Sequence, residues 1–375
     1  MISLVIEMNE NETATVIRDP GDPALQQLCD ELASRSSSLF VPEPDGSPAW
    51  PREQLELCGR YGVFEWFLDQ AAGGQGWSDV DLVRGYLALS AACLSTTFII
   101  TQRTGACRRI AGSGNEYACQ QLLPGLVSGE TFSTVGLSHL TTSHRHLGRP
   151  VLRAEETGDG FLLDGFSPWV TGATMAQSIV VGATLEDDRQ VLIAVPTEIE
   201  GVEVQPPASL MALSSSHTGR VDFNGVRIGK DWLLAGPAEN VMSQAIGANP
   251  GGLQTSTLAV GLSDAALHFL EQEADKRPDL EPPTCTMRGQ WQELCDDLLA
   301  GVAGDSGCTK EEIRSRANNM ALNSTQAALA AAKGAGYVNG HDAGRWCREA
   351  MFFLVWSCPQ PVMNAHLCQL AGLID

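Results

Sequence analysis

The spacing of apolar residues changes twice along the chain, and this constrains the fold more than any other feature of the sequence. Up to about residue 130, segments such as LQQLCDELASRSS and DVDLVRGYLALSAACLSTTFIIT carry apolar residues at helical spacing. Short β-branched stretches separated by Gly, Asp and Pro follow to about residue 236, and helical spacing then returns. The sequence predicts an α+β fold with an N-terminal helical domain (1–130), a central antiparallel β domain (131–236) and a C-terminal four-helix bundle (237–375).

The charge of the chain limits its partners. Its 375 residues include 24 basic and 45 acidic side chains, which gives a formal net charge of −21. Such a charge repels phosphate backbones and anionic lipid surfaces, so we expect neither nucleic acid nor a membrane as a partner. The opening segment MISLVIEMNENETATVIRD lacks the features of a secretory signal, and no later apolar run is long enough to span a bilayer. We expect a soluble, cytoplasmic protein.

The cysteines do not indicate a disulfide framework or a metal site. Eleven cysteines are scattered along the chain without a C-x-x-C pair and without histidines at zinc-ligand spacing. We expect no bound metal and predict that most of the cysteines are buried thiols.

Five segments of the chain carry recognisable motifs. In chain order they are AAGGQGWS, GSGNEYACQQLLPGLVSGE, GDGFLLDGFSPWVTGA, VDFNGVRIGKDWLL and GAGYVNGHDAGRWCREA. They resemble motifs of the acyl-CoA dehydrogenase superfamily, and the resemblance covers nearly the whole chain. The fold that it implies is the same helical, β and helical arrangement.

The resemblance implies a flavin, FAD with FMN as the alternative, between the β domain and the bundle. In the segment GFSPWVTGA, Trp169 would pack on the flavin ring and Thr171 would hydrogen-bond near its reactive nitrogen. Ser138 would contact the pyrimidine end of the ring. The alternative for Trp169 is a core residue between sheet and helices, and the alternative for Ser138 is an ordinary strand serine.

The motifs for the adenine half of FAD are incomplete. The resemblance implies that Arg277 reaches the diphosphate of a neighbouring subunit's FAD, with Gly334 and Gly336 also in the cofactor site. However, Arg277 is not followed by the family's Phe-Gly, and Lys333 stands where the family has the first glycine of its C-terminal motif.

The usual catalytic carboxylate is absent from both family positions. Alignment of REAMFFLVWSCPQPV puts Ser357 at the commoner position of the Glu that removes a proton next to the thioester carbonyl, and Gly251 lies near the other position. Neither residue is a base at neutral pH. The catalytic base is therefore unknown from the sequence.

A histidine-rich loop supplies the candidate replacements for that base. His139 and His144 are the first candidates because histidine titrates near neutrality. Together with His146, Arg145 and Arg149 they form a basic cluster that would attract a phosphate or carboxylate, and the alternative is a solvated loop.

Three functions remain open from the sequence. The first is a flavin-dependent oxidoreductase acting on the CH–CH bond of an acyl thioester or related small molecule, with acyl-CoA as the first candidate. The second is a flavin-dependent monooxygenase of the same fold, and the third is a degenerate member that binds flavin or an acyl ligand without turnover. The resemblance also implies a homo-dimer or homo-tetramer and an electron-transfer or reductase partner.

Overall fold

The N-terminal third of the computed structural model is helical, as the apolar spacing predicts. The structure describes residues 15–141, 150–244 and 253–373. Local caps begin several helices: the Ser78 side chain accepts a hydrogen bond from the Asp81 backbone N–H at the start of α3. The five helices are α1 Pro23–Arg35, α2 Arg52–Arg60, α3 Asp79–Ala92, α4 Leu94–Ala111 and α5 Glu116–Ser128.

A single sheet of eight strands follows, with the order β6-β7-β3-β2-β4-β5-β8 and β1 beside β4. A short helix, α6 (Ser138–Thr141), follows β1. The strands are β1 Ser133–Gly136, β2 Leu152–Glu156, β3 Gly160–Val170, β4 Ser178–Thr184, β5 Gln190–Pro196, β6 Val202–Val204, β7 Gly219–Gly229 and β8 Leu233–Ala238.

The sheet is mixed, which corrects the prediction of a purely antiparallel one. Most neighbouring strands pair antiparallel, but β4 runs parallel to β1 and, at one residue pair, to β2. After β1 the chain forms the β2–β3 hairpin of the same sheet, and it then returns as β4, which runs beside β1 in the same direction. Parallel pairing needs such a long crossover, and hydrophobic periodicity carries no information about it.

The C-terminal part is helical. Thr309 and Glu312 form a capping box at the start of α10. This helix is interrupted near its end by a kink at the non-helical residue Lys333 and ends at Gly336. The helices are α7 Val241–Gln244, α8 Leu253–Ala274, α9 Glu281–Ala303, α10 Lys310–Gly336, α11 Asp342–Ala350 and α12 Gln360–Leu370.

The largest hydrophobic core joins the two helical parts. Leu32 and Phe98 from the first part share it with Leu262 and Phe353 from the last part. A second core lies within the sheet, and a third joins α4 and α5 to strands β4 and β5. Helices change to strands between Ser128 and Ser133, but the division into three domains at residues 130 and 236 stays a prediction.

All eleven cysteines are free thiols; five of them are buried, five partly buried and one exposed. Among the residues that the structure describes, no group of three or more histidine, cysteine or carboxylate side chains is arranged to hold a metal ion. In the same residues, no helix has the length and apolar character needed to cross a membrane.

Candidate functional site

The turn at the end of β3 presents an aromatic ring at the edge of the sheet. Trp169 is 40% exposed, whereas Thr171 is 1% exposed. The pairing of β3 with β7 shifts register between Ser167 and Val170, and such a bulge redirects side chains at a sheet edge. Gly172 then turns the chain with a φ of 68°. Trp169 is therefore not a core residue, and one part of its ring surface is open to a ligand.

A chain of buried hydroxyl groups lies behind that turn. The Thr171 and Thr218 Oγ1 atoms are 2.9 Å apart, and Thr218 Oγ1 is 2.8 Å from Ser216 Oγ. The Gly172 backbone N–H donates to the Ser216 carbonyl. Three hydroxyls linked by two hydrogen bonds have one proton to spare, so the chain can offer a donor at its Thr171 end. Sequence reasoning missed Ser216 and Thr218, and the run SSSHTG was the only signal for them.

Two further buried hydroxyls lie on the neighbouring strands. Within the described ranges, Ser167 Oγ on β3 and Thr134 Oγ1 on β1 have no hydrogen-bond partner. A Cβ atom on Gly136 would lie 2.7 Å from Ser167 Oγ, so a glycine is needed for this close approach. A buried hydroxyl without a partner costs about 1–3 kcal/mol, which indicates a site that a polar ligand atom or water completes.

Ser138 and His139 follow β1 in α6. His139 is 6% exposed, and its Nε2 lies 2.7 Å from the carbonyl oxygen of Gly182 on β4, to which it donates. The structure therefore holds the ring inside the protein rather than presenting it as an accessible base. His144, His146, Arg145 and Arg149 lie outside the described residues, as does Gly251.

Ser357 stands on a clamped turn after α11. It is exposed and has a φ of 46°, a left-handed conformation that is strained for serine. Arg314 Nη2 donates to the carbonyls of Phe353 and Trp356, at 3.1 and 3.0 Å, and Asn318 Nδ2 donates to the first of these at 3.1 Å. Burial lowers the pKa of Arg314 to about 10. The bundle thus holds the strained turn in place.

Aromatic rings pack beside this turn. The Trp356 ring lies 4.8 Å from the Phe98 ring and 5.4 Å from the Phe352 ring, measured between centroids. The turn is therefore packed against α4, and Ser357 follows directly on this cluster.

The nearest carboxylate before Ser357 in the sequence lies in the protein core. Glu349 on α11 is fully buried, and neither of its carboxylate oxygens has a hydrogen bond to a described residue. Burial raises its pKa to about 7, although Arg345 Nη1 lies 3.9 Å from its Oε1. Glu349 belongs to the core of the helical parts and is not open to a substrate.

Arg277, expected at the adenine half of FAD, contacts the helix α10 that also carries Gly334 and Gly336. Arg277 Nη2 donates to the Ala331 carbonyl on α10 at 2.8 Å, two residues before Lys333. It also pairs with Glu273 Oε2 at 2.6 Å, which neutralises part of its charge. Gly334 is exposed and Gly336 is buried at the end of the same helix.

Most of the chain superposes on solved structures of acyl-CoA dehydrogenases. The family described as acyl-CoA dehydrogenase, N-terminal domain, matches residues 22–130. This match, together with the relatives and structures below, supports placing the chain in the acyl-CoA dehydrogenase superfamily.

Three known proteins illustrate the similarity. The probable acyl-CoA dehydrogenase YngJ of Bacillus subtilis is 22% identical over 348 residues, 87% of this chain and 91% of that protein. A glutaryl-CoA dehydrogenase of Mycobacterium smegmatis in complex with FADH2 superposes with a TM-score of 0.76 at 15% identity, over 93% of this chain and 95% of that one. FMN-bound TdsC from a Paenibacillus species superposes with a TM-score of 0.71 at 15% identity, over 87% of this chain and 91% of that one.

Proposed function

We propose that this protein is a flavin-dependent oxidoreductase that acts on an acyl-CoA thioester or a related small molecule. The observation that carries the proposal is the exposed ring of Trp169 beside a chain of buried hydroxyls. A solvent-facing tryptophan backed by donors suits a flat, polar-edged ring system. The FADH2-bound neighbour supports FAD as the cofactor, and FMN-bound TdsC supports FMN as the alternative.

The residues around the turn fit a flavin ring. Trp169 would form an aromatic wall, Thr171 would donate its spare proton, and the unpartnered Ser167 hydroxyl would find an acceptor on the ligand. A bound flavin supplies hydride or electron transfer at its ring system. The role of the protein at this wall is to orient the ring and to stabilise the negative charge that the ring gains on reduction.

Dehydrogenation of an acyl thioester needs a base that removes a proton, and the candidates for this base are poorly placed. Ser357 replaces the family carboxylate, His139 is buried with its Nε2 engaged, and Glu349 lies in the core. None of these three residues is therefore suited to act as a general base on a substrate bond. We therefore propose that ordinary straight-chain acyl-CoA substrates are dehydrogenated weakly or not at all.

A second candidate is a flavin-dependent monooxygenase of the same fold. The observation that favours it is the exposed hydroxyl of Ser357 where the carboxylate would stand, because oxygen activation needs no base for an α-proton. The similarity to FMN-bound TdsC supports FMN in that case. A reductase would then be the partner, whereas a dehydrogenase would need an electron acceptor protein.

We also propose a homo-dimer or homo-tetramer formed through the C-terminal helices. Large apolar side chains there are exposed, among them Tyr337 at 89%, Val338 at 65% and Leu370 at 72%. Exposed apolar surface of this kind is typical of an interface. A mass of only 40 kDa in solution at micromolar concentration would contradict this proposal.

The extracted cofactor and absorption spectrum of the purified protein test the central proposal. FAD with a flavin spectrum supports the dehydrogenase type, and FMN taken up in reduced form supports the monooxygenase. A protein that neither retains nor binds either flavin would overturn both functions and leave the non-catalytic member as the surviving interpretation.

A further inference from the structure

A cavity of about 230 Å³ lies between three separate parts of the chain. The parts are the segment 39–49, the loop 211–215 and helix α11. All of its lining residues are uncharged except one arginine; they are Leu39, Phe40, Pro42, Gly46, Pro48, Ala49, Met211, Ala212, Leu213, Ser214, Ser215 and Arg348. The cavity thus combines apolar walls with a single positive charge.

The walls of the cavity are fixed by contacts outside it. Leu213 and His217 both adopt left-handed conformations, with φ of 60° and 47°, on either side of a short 3-10 turn. His217 Nε2 donates to the Pro48 carbonyl at 2.8 Å, and its Nδ1 lies 2.8 Å from Thr174 Oγ1. Such strain persists only where the surroundings hold the backbone in place, so the cavity is formed before any ligand binds.

Arg348 is the charged residue that lines this cavity. Within residues 15–141, 150–244 and 253–373 it forms no hydrogen bond and no salt bridge of 4 Å or less. Its neighbour Arg345 differs, because it pairs with Asp342 at 2.7 Å and lies 3.9 Å from Glu349. Both arginines lower the pKa of the buried Glu349, Arg345 more than Arg348, but of the two it is Arg348 that lines the cavity, where an anion would meet it.

We propose that this cavity binds a small carboxylate with a short apolar body. Arginine recognises a carboxylate through two parallel N–H···O hydrogen bonds, and Phe40 and Leu213 would cover the apolar body. At about 30 Å³ per water-sized unit, the volume holds about eight non-hydrogen atoms, the size of hexanoate. The lining residues do not include Trp169 or Thr171, although Ser215 is next to Ser216 of the hydroxyl chain, and the binding of a carboxylate here needs no flavin.

Calorimetric titration of the full-length protein with sodium hexanoate tests the proposal, with 1-hexanol as the uncharged control. We expect a Kd of about 1 mM for hexanoate and no measurable binding of hexanol. Arg348→Gln should weaken hexanoate binding at least tenfold, Arg348→Lys less, because lysine keeps the charge but not the bidentate geometry. Ala212→Leu should abolish binding by filling the cavity while keeping the arginine.

Several results would overturn the proposal. One is the absence of saturation by about 20 mM hexanoate, roughly twenty times the expected Kd. Another is an affinity of Arg348→Gln for hexanoate that equals the affinity of the parent. If circular dichroism shows that Arg348→Gln does not fold, an unchanged affinity of Ala212→Leu for hexanoate overturns the proposal instead. Equal binding by the parent and Ala212→Leu, accompanied by a change in a flavin spectrum, would place hexanoate at the Trp169 turn instead.

Discussion

The hydroxyl oxygens of Thr171 and Thr218 lie 2.9 Å apart although 47 positions separate the two residues in the chain. This contact joins the turn after β3 to the residue that precedes β7. It fixes the backbone beside Trp169 and leaves the hydroxyl chain with one donor to spare. The shape and the polarity of the proposed flavin wall therefore depend on a pair that the sequence does not connect.

Removing the hydroxyl of Thr218 should affect both stability and the flavin. In Thr218→Val the oxygens of Thr171 and Ser216 lose a buried partner, so we expect the free energy of unfolding to fall by about 1–3 kcal/mol. Flavin occupancy should fall as well, and urea unfolding with cofactor extraction measures both quantities. Thr286→Val is the control, since Thr286 is exposed and bonds only within α9. If Thr218→Val is as stable as the parent, the hydroxyl chain contributes nothing to the free energy of unfolding.

Replacement of Trp169 by alanine should reduce flavin affinity without unfolding the protein. The side chain is 40% exposed, so little of the core is lost, while a stacking contact contributes about 1 kcal/mol, or roughly fivefold in affinity. Fluorescence titration of the flavin-free protein measures the change, and Trp169→Phe should keep most of the affinity. Equal flavin affinity in the parent and both variants would show that Trp169 does not contact the flavin.

Introduction of a carboxylate at position 357 should create or increase dehydrogenation. The anaerobic loss of flavin absorbance with a panel of acyl-CoA thioesters measures the effect. We expect slow or no bleaching by the parent, faster bleaching by Ser357→Glu, and none gained by Ser357→Gln, which has the same shape but is not a base. Rapid bleaching by the parent protein would mean that another residue is the base.

Ionisation of Glu349 should destabilise the protein as pH rises. Burial raises its pKa from 4.5 to about 7, so in this range the folded state binds more protons than the unfolded state and the free energy of unfolding falls with increasing pH. The full effect is about 3 kcal/mol, because one pKa unit corresponds to about 1.4 kcal/mol. Glu349→Gln lacks this loss, so its stability relative to the parent should be greater at pH 8 than at pH 5 in urea unfolding. A difference that is independent of pH would contradict the raised pKa.

Relief of the backbone strain at Lys333 should stabilise the protein. Lys333 has a φ of 54° and a ψ of −144°, a combination that is readily accessible only to glycine. We expect Lys333→Gly to raise the free energy of unfolding by about 1 kcal/mol after the entropy cost of glycine. Lys333→Ala keeps the strain and should match the parent within about 0.5 kcal/mol. Thermal or urea unfolding of the parent and the two variants measures the difference in stability. Equal stability of the glycine and alanine variants would argue against backbone strain at Lys333.

Part of the candidate site was predictable because it is local. Trp169 and Thr171 are two residues apart on one turn, and the motif around them is visible in the printed sequence. The sequence predicts Ser357 at the family position of the carboxylate, but it gives no sign of the left-handed backbone there or of the clamp from Arg314 and Asn318. The role of His139 as a base stays a prediction, and the hydrogen bond from its ring to the Gly182 carbonyl on β4 depends on packing that the sequence does not reveal.

The sequence by itself determined the helices, the strands and the order of the three parts. Hydrophobic spacing and caps such as Thr309 with Glu312 act over a few residues, so each segment carries its own signal. Only the tertiary structure decided the parallel pairing of β1 with β4, the contact between Thr171 and Thr218, and the place of Arg348 on the wall of a cavity. These features depend on strand register and on packing between distant segments, where a position gains its neighbours only after the chain has folded.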